Sequence, residues 1–247
     1  MTRELSPPPI WSLPAPPKRR RDLSRDEIVR AAIAIANAGG AEAVTMRAVA
    51  ARLGSSAPMS LYRYVRNKDG LVDLMLDAAM AEVRTPSESV VDWREGLARL
   101  ARSMWEMTKQ HRWYARLVHT RPPAGPNACR IHEYVLTVFA DLGVGLQTAS
   151  DFYLLINRHV IGLALQYADT AYVQSDADLT VDEIRQTARS WWGQMDTESP
   201  YPHLQQLMRR FLDEHNPTDG WAGPDTQLEI GLGCLLDGIA NRIGNPG

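Results

Sequence analysis

The chain has 247 residues, 45% of them hydrophobic and 23% charged, with a net charge of −2. These are ordinary globular values for one large core or two smaller domains, and they exclude a fibrous or highly charged disordered chain. No apolar run reaches the roughly 18 residues that a membrane span needs, because Asn157 and Arg158 interrupt the longest one.

The charge is unevenly spread. From Lys18 to Arg84 the balance is +4, and from Thr85 to the end it is −6. A basic first third on an acidic remainder suggests a module facing nucleic acid, carried by a body with another task. No apolar leader stands at the N-terminus, so a cytoplasmic protein is expected. Cys129 and Cys234 lie far apart and are expected to be reduced core thiols.

Residues 1–21 form an arm without hydrophobic periodicity. It is rich in proline (Pro7, Pro8, Pro9, Pro14, Pro16, Pro17) and ends in Lys18, Arg19, Arg20 and Arg21. It is expected to be disordered or extended, its basic end suited to tracking phosphates. A first helix starts at Ser24, which has capping-box spacing to Glu27, and stops at Gly39-Gly40. Thr45 caps a second helix with Met46, Val49, Ala50 and Leu53 inward, closed by Gly54. A third runs from about Pro58 to Val65 on the core pair Leu61 and Val65. Asn67 caps a fourth, with Leu71, Leu74, Met75, Ala78 and Val83 inward. Together these make a domain over 22–84.

Thr85 to Val91 reads as a joint. Beyond it, over 92–247, the spacing gives helices at 92–110, 112–119, 126–142, 147–168, 181–195, 203–215 and 225–243. They are separated by Pro- and Gly-rich breaks such as Arg121-Pro122-Pro123. No β-alternating run appears, so the fold class is all-α: a helix-turn-helix domain followed by a larger helical domain.

Residues 45–68 carry the chemistry. The second and third helices are too short to stand alone and must pack on the first and fourth, which leaves the outer face of the third free. Met59, Ser60, Tyr62, Arg63 and Tyr64 are placed there. Arg63 can donate a bidentate pair to guanine, Ser60 and the tyrosines can bond bases or phosphates, and Met59 can meet a thymine methyl. Thr45 and Arg47 start the second helix and Lys68 the fourth, where free amides favour phosphate. Tyr62 also reads as part of the core, which leaves its hydroxyl free to reach a phosphate.

In the body, Trp93, Trp105, Trp113, Trp191, Trp192 and Trp221, with Tyr114 and Tyr153, are candidates to line a cavity for a flat apolar ligand. Arg121, His132, Asn157, Arg158, His159 and Gln166 are polar residues in or beside apolar helices, and buried polar groups need partners. For each aromatic singly, an ordinary core position is the competing reading. The ligand-binding set is Trp105, Trp113, Arg121, His132, Tyr153, Asn157, His159 and Trp192. Leu228, Leu232, Leu235, Leu236, Ile239 and Ile243 form a stripe on the last helix, where Gly231 and Gly238 permit close approach. No His-x-x-x-His pair, Cys-x-x-Cys, Gly-x-Gly-x-x-Gly or Gly-x-Ser-x-Gly occurs. No enzyme activity, cofactor or metal is therefore expected.

Thr45, Arg47, Ala50, Leu53, Gly54, Leu61 to Val65, Asn67-Lys68 and Leu71 resemble the helix-turn-helix of the tetracycline-repressor (TetR) family. Thr120-Arg121-Pro122, Gly162, Gly231-Leu232 and Leu235 to Ile239 resemble, more loosely, the body of the tetracycline-repressor subgroup. The resemblance implies a ligand-responsive repressor that binds a near-palindromic double-stranded operator as a homodimer. It also implies that the last helix pairs between subunits and that a small-molecule effector acts through the fourth helix. Six residues, SSAPMS, separate Gly54 from Leu61, one more than the family pattern. Leu117 and Gln166 stand where the subgroup has metal-binding partners, so a magnesium–tetracycline chelate is not implied. A helical module that senses a protein partner is the alternative use of the same architecture.

Overall fold

The structure, a computed structural model, describes residues 9–14, 23–54, 58–86, 92–176, 183, 186, 190, 201–212 and 223–244. The first four helices are α1 (Arg25–Gly39), α2 (Met46–Arg52), α3 (Tyr62–Val65) and α4 (Lys68–Met80). The body follows with α5 (Trp93–Gln110), α6 (Trp113–Thr120), α7 (Pro126–Ala140), α8 (Leu146–Asp176), α9 (Pro202–Leu212) and α10 (Pro224–Gly244). Among the described residues there is no strand, and no helix is long and apolar enough to cross a membrane. Of the expected helix at 181–195, only Glu183, Gln186 and Ser190 are described, all helical; Trp191, Trp192 and Trp221 lie outside the described residues.

Local chemistry sets the starts of the first helices. Ser24 Oγ accepts the Glu27 amide at 3.1 Å, while Glu27 accepts the Ser24 amide at 2.7 Å, the reciprocal pair of a capping box. Thr45 caps α2 through the Ala48 amide and Asn67 caps α4 through the Gly70 amide. The expected third helix begins differently. Pro58–Leu61 is a 3-10 turn, and only Tyr62–Val65 is α-helical. Pro58 has no amide to give, so the chain tightens before it settles into an α-helix.

Leu61, Tyr64 and Val65 point together into the core, at 0%, 3% and 0% exposure. Tyr64 therefore does not stand on the outer face where the spacing of Leu61 and Val65 had left room for it. A residue three after Leu61 shares its side of a helix, so Tyr64 joins the inward stripe. The arm also differs from expectation. Ile10–Ser12 is a 3-10 turn packed on α4, with Ile10 buried, and Arg25 Nη1 donates to Leu13 O at 3.2 Å. One isoleucine has enough apolar area to anchor a proline-rich segment that lacks helical periodicity. Residues 1–8 and 15–22 lie outside the described residues.

Helix α4 is buried on more sides than one apolar stripe supplies. Leu71, Val72, Met75, Leu76, Asp77, Ala79 and Met80 are all buried, because α4 packs on α1 and α3 on one flank and on α6 and α7 on the other. The body's core is built on α8, which touches α5, α6, α7 and α10. Leu228, Leu232, Leu236 and Ile239 of α10 are buried within the single chain, so most of the expected pairing stripe serves the intramolecular core. Arg102 holds Glu229 at 2.7 and 2.8 Å, and Arg94 pairs with Asp237, which fastens α10 to α5. The hydrogen bond from Arg102 holds the Glu229 carboxyl below the usual range. Both cysteines are exposed rather than in the core: each falls on a turn of its helix that faces away from the neighbouring helices.

The turn from α3 to α4 is tight. Arg66 adopts φ +68°, and the Asn67 amide returns to Val65 O at 2.7 Å. Gly70 lies so close that a Cβ there would meet Val65 O at 2.3 Å. Gly70→Ala should lower stability by about 1–3 kcal/mol through this clash with backbone. Urea unfolding checks it; an unchanged midpoint would contradict the close approach.

Candidate nucleic-acid interface and internal cavity

Helix α3 cannot hold itself, having only one turn. Arg25 Nε donates to Tyr64 O at 3.1 Å, and the buried Leu61, Tyr64 and Val65 pin it from below. What remains outward is a basic surface. Thr45, Arg47, Met59, Arg63 and Lys68 are exposed, Met59 by 77%. Arg52 and Arg66 are exposed beside them, two cations that pattern reading did not single out. Ser60 and Tyr62 are half-buried, and Tyr62 packs against the core. Arg63 lies over the Tyr64 ring, 4.7 Å from its centroid, and donates to its hydroxyl at 2.6 Å. Tyr64 thus orients Arg63, which stays exposed.

The other residues expected to bind a ligand separate into two groups. His132, Tyr153 and Asn157 come together around a cavity of about 450 Å³ between α6, α7 and α8. Its apolar wall is Val118, Pro122, Pro123, Ala128, Leu154 and Ile161; His119 and Arg158 join its polar side. His132 Nε2 lies 3.1 Å from Ser150 Oγ, and its ring lies 4.8 Å from that of Tyr153. Burial pushes the Tyr153 phenol up to about 12, and burial likewise raises that of Tyr114.

Trp105, Trp113, Arg121 and His159 do not line this cavity; each is held elsewhere. Trp105 Nε1 donates to Asp225 at 2.5 Å and holds the start of α10, which lowers the Asp225 carboxyl. Trp113 Nε1 donates to Asn37 at 2.6 Å and seats the body on α1. His159 Nε2 lies 3.2 Å from Leu228 O, with its ring against Gly231. An indole or imidazole on an apolar helix finds a protein partner as readily as a ligand, and here these did. Trp192 lies outside the described residues. Among the described residues no three His, Cys, Asp or Glu could hold a metal together.

Arg121 is held on α4. Its guanidinium donates to both oxygens of Asp73, at 2.7 and 2.9 Å, and reaches Asp69 at 3.3 Å. The hydrogen bond to Asp73 holds its pKa above the ordinary arginine value. Two carboxylates one helical turn apart make a better partner for a forked cation than an apolar cavity does. Nearby, buried Asp77 accepts the Asn127 amide and side chain, both at 2.9 Å, and the Ala128 amide at 3.4 Å. Arg130 donates to Met80 O and Val83 O at 3.3 and 3.0 Å. One stretch, Arg121 to Arg130, therefore holds α4 at its start, middle and end while supplying Pro122, Pro123 and Ala128 to the cavity wall. Sequence reasoning missed Asp73, Asp77 and Arg130; the usable signal was an aspartate between the apolar Leu76 and Ala78.

A second junction joins the same parts. Buried His111, between α5 and α6, lies 3.0 Å from Asn37 Oδ1 on α1 and 3.1 Å from Glu82 just after α4.

Two family profiles match the chain: "Bacterial regulatory proteins, tetR family" over residues 28–75, and "Tetracyclin repressor-like, C-terminal domain" over 85–243. The HTH-type transcriptional repressor DrrR1 of Streptomyces coeruleorubidus is 32% identical over 93% of this chain and 83% of its own. The class A tetracycline repressor from transposon 1721 of Escherichia coli is 28% identical over 89% of this chain and 92% of its own. Among solved structures, ActR of Streptomyces coelicolor in complex with actinorhodin superposes with a TM-score of 0.74 at 25% identity. That match covers 91% of this chain and all of the other.

The raised phenols give a pH dependence. With folded values above the ordinary 10.0, Tyr153 and Tyr114 contribute stability that is complete below pH 10. It is lost as pH rises from there through the folded values, because the unfolded chain ionises first. Unfolding free energy should fall between pH 10 and 12, and more steeply than in Tyr153→Phe. Parallel pH profiles for the two proteins would contradict this.

Proposed function

The chain belongs to the TetR family of transcriptional repressors, and from that premise we propose how it acts. It binds a near-palindromic operator as a dimer and leaves it when a small molecule fills the cavity between α6, α7 and α8. The observation that carries this reading is the shared segment: residues 121–130 form part of the cavity wall and also hold α4. An occupant that displaces Pro122 and Pro123 also displaces Arg121, and with it Asp73 and α4. Helix α3 follows, because the Asn67 turn and the contact of Gly70 with Val65 O leave no slack between them. Such coupling needs only that the ligand fit one position of α4 better than the other.

Two further observations support parts of this reading. A cavity of about 450 Å³ is the size a drug-like molecule occupies, whereas a module that senses only protein partners needs none. The actinorhodin complex of ActR supports a small-molecule effector for a chain of this architecture. For the dimer, Leu155 on α8 and Ile230 on α10 stay exposed, by 44% and 59%, on helices that pack together. A two-fold pair of readers would address half-sites about one DNA turn, roughly 34 Å, apart.

In this reading Arg63 reads a base and Lys68 holds phosphate. On a duplex selected from random sequence by the protein itself, Arg63→Ala should cost about 1–3 kcal/mol and broaden the selected motif. Lys68→Ala should weaken all sequences alike and flatten the slope of log K against log salt by about one unit. Gel shifts across a salt series separate the two; an unchanged motif with Arg63→Ala removes base reading from that residue.

A further inference from the structure

The polar side of the cavity has a definite sign. His119, His132, Tyr153, Asn157 and Arg158 line it, and no aspartate or glutamate does. Arg158 brings a positive charge to this side. Among the described residues the side chains of Arg158, His119 and Asn157 have no hydrogen bond or ion pair, and the Tyr153 hydroxyl has no hydrogen-bond partner. That hydroxyl is a protonated phenol and therefore a donor, and burial raises its pKa further. Opposite stand Pro122, Pro123, Leu154 and Ile161, an apolar wall with nothing to bond. A cation and a buried, unpartnered hydroxyl beside such a wall suit an apolar body ending in an acceptor of negative charge.

We propose that the effector is an apolar carboxylate. The cavity holds its apolar body against Pro122, Pro123 and Ile161, and its carboxylate meets the Arg158 guanidinium. The Tyr153 hydroxyl donates to an oxygen on that body, and Asn157 serves either a donor or an acceptor there. A cationic ligand would bring its charge to Arg158 with no carboxylate in the lining to offset the repulsion. Arg121 takes no part, being committed to Asp69 and Asp73. This inference rests on the cavity being the effector site.

The test uses the full chain, anthraquinone-2-carboxylate and its uncharged carboxamide. Calorimetry should show the acid binding about tenfold more tightly than the amide, the worth of one charge-assisted bond. Arg158→Gln should erase that difference by weakening the acid alone; Arg158 is exposed, so the fold survives its loss. Equal binding of acid and amide to the unmodified protein, or an acid preference that persists in Arg158→Gln, overturns the inference. If both compounds then still release the selected duplex, the effector site itself stands. Failure of both to bind also overturns the inference, and Leu154→Trp, which fills the cavity, then judges the site. A changed duplex affinity keeps the release reading, and an unchanged one removes it.

Discussion

Asp77 lies buried on α4, and its two oxygens accept from the first residues of α7. A buried carboxyl is tolerable only when its oxygens are bonded, so α4 and α7 cannot separate cheaply. Gly125 makes the approach possible, since a Cβ there would fall 2.2 Å from Asp77 Oδ1. Arg121 at one end of α4 and Arg130 at the other extend the same contact along the helix. The rest of the molecule depends on this constraint: α4 belongs to the reader by sequence and to the body by packing.

That double membership explains how a one-turn helix can be a reader at all. Helix α3 has too few residues to be stable, and α4 supplies the floor on which Leu61, Tyr64 and Val65 rest. Trp113 and His111, both bonded to Asn37, brace α1 against the body from the other side. The reader is thus fixed at two junctions, and a change at the cavity wall has short, packed routes to it.

How much of this was legible in the sequence depended on range. The caps at Ser24, Thr45 and Asn67 lie within three residues of what they bond, and all three are found as spaced. The reader's motif is equally local, and its exposed Arg47, Arg63 and Lys68 stand where helical spacing puts them. Tyr64 was misplaced because the inward stripe of a single turn is broader than one i, i+4 pair. The protein partners of Arg121, Trp105, Trp113 and His159 were not legible because they, Asp73, Asp225, Asn37 and Leu228 O, lie 48 to 120 residues away. No spacing rule reaches across that distance. His132, Tyr153 and Asn157 come together at one cavity because two of them share one face of α8, and the third lies on the helix packed against it.

The claim that α4 answers to the body is tested most directly by a double-mutant cycle between Arg121 and Asp73 read in operator affinity. Arg121→Ala and Asp73→Ala touch a contact that lies on the far side of α4 from α3. If that contact positions the reader, each should change affinity by several fold, and the double variant should change it no further than either alone. The coupling energy should be about 1 kcal/mol. Affinities that are unchanged, or that change additively, would mean that the reader takes its position without the body.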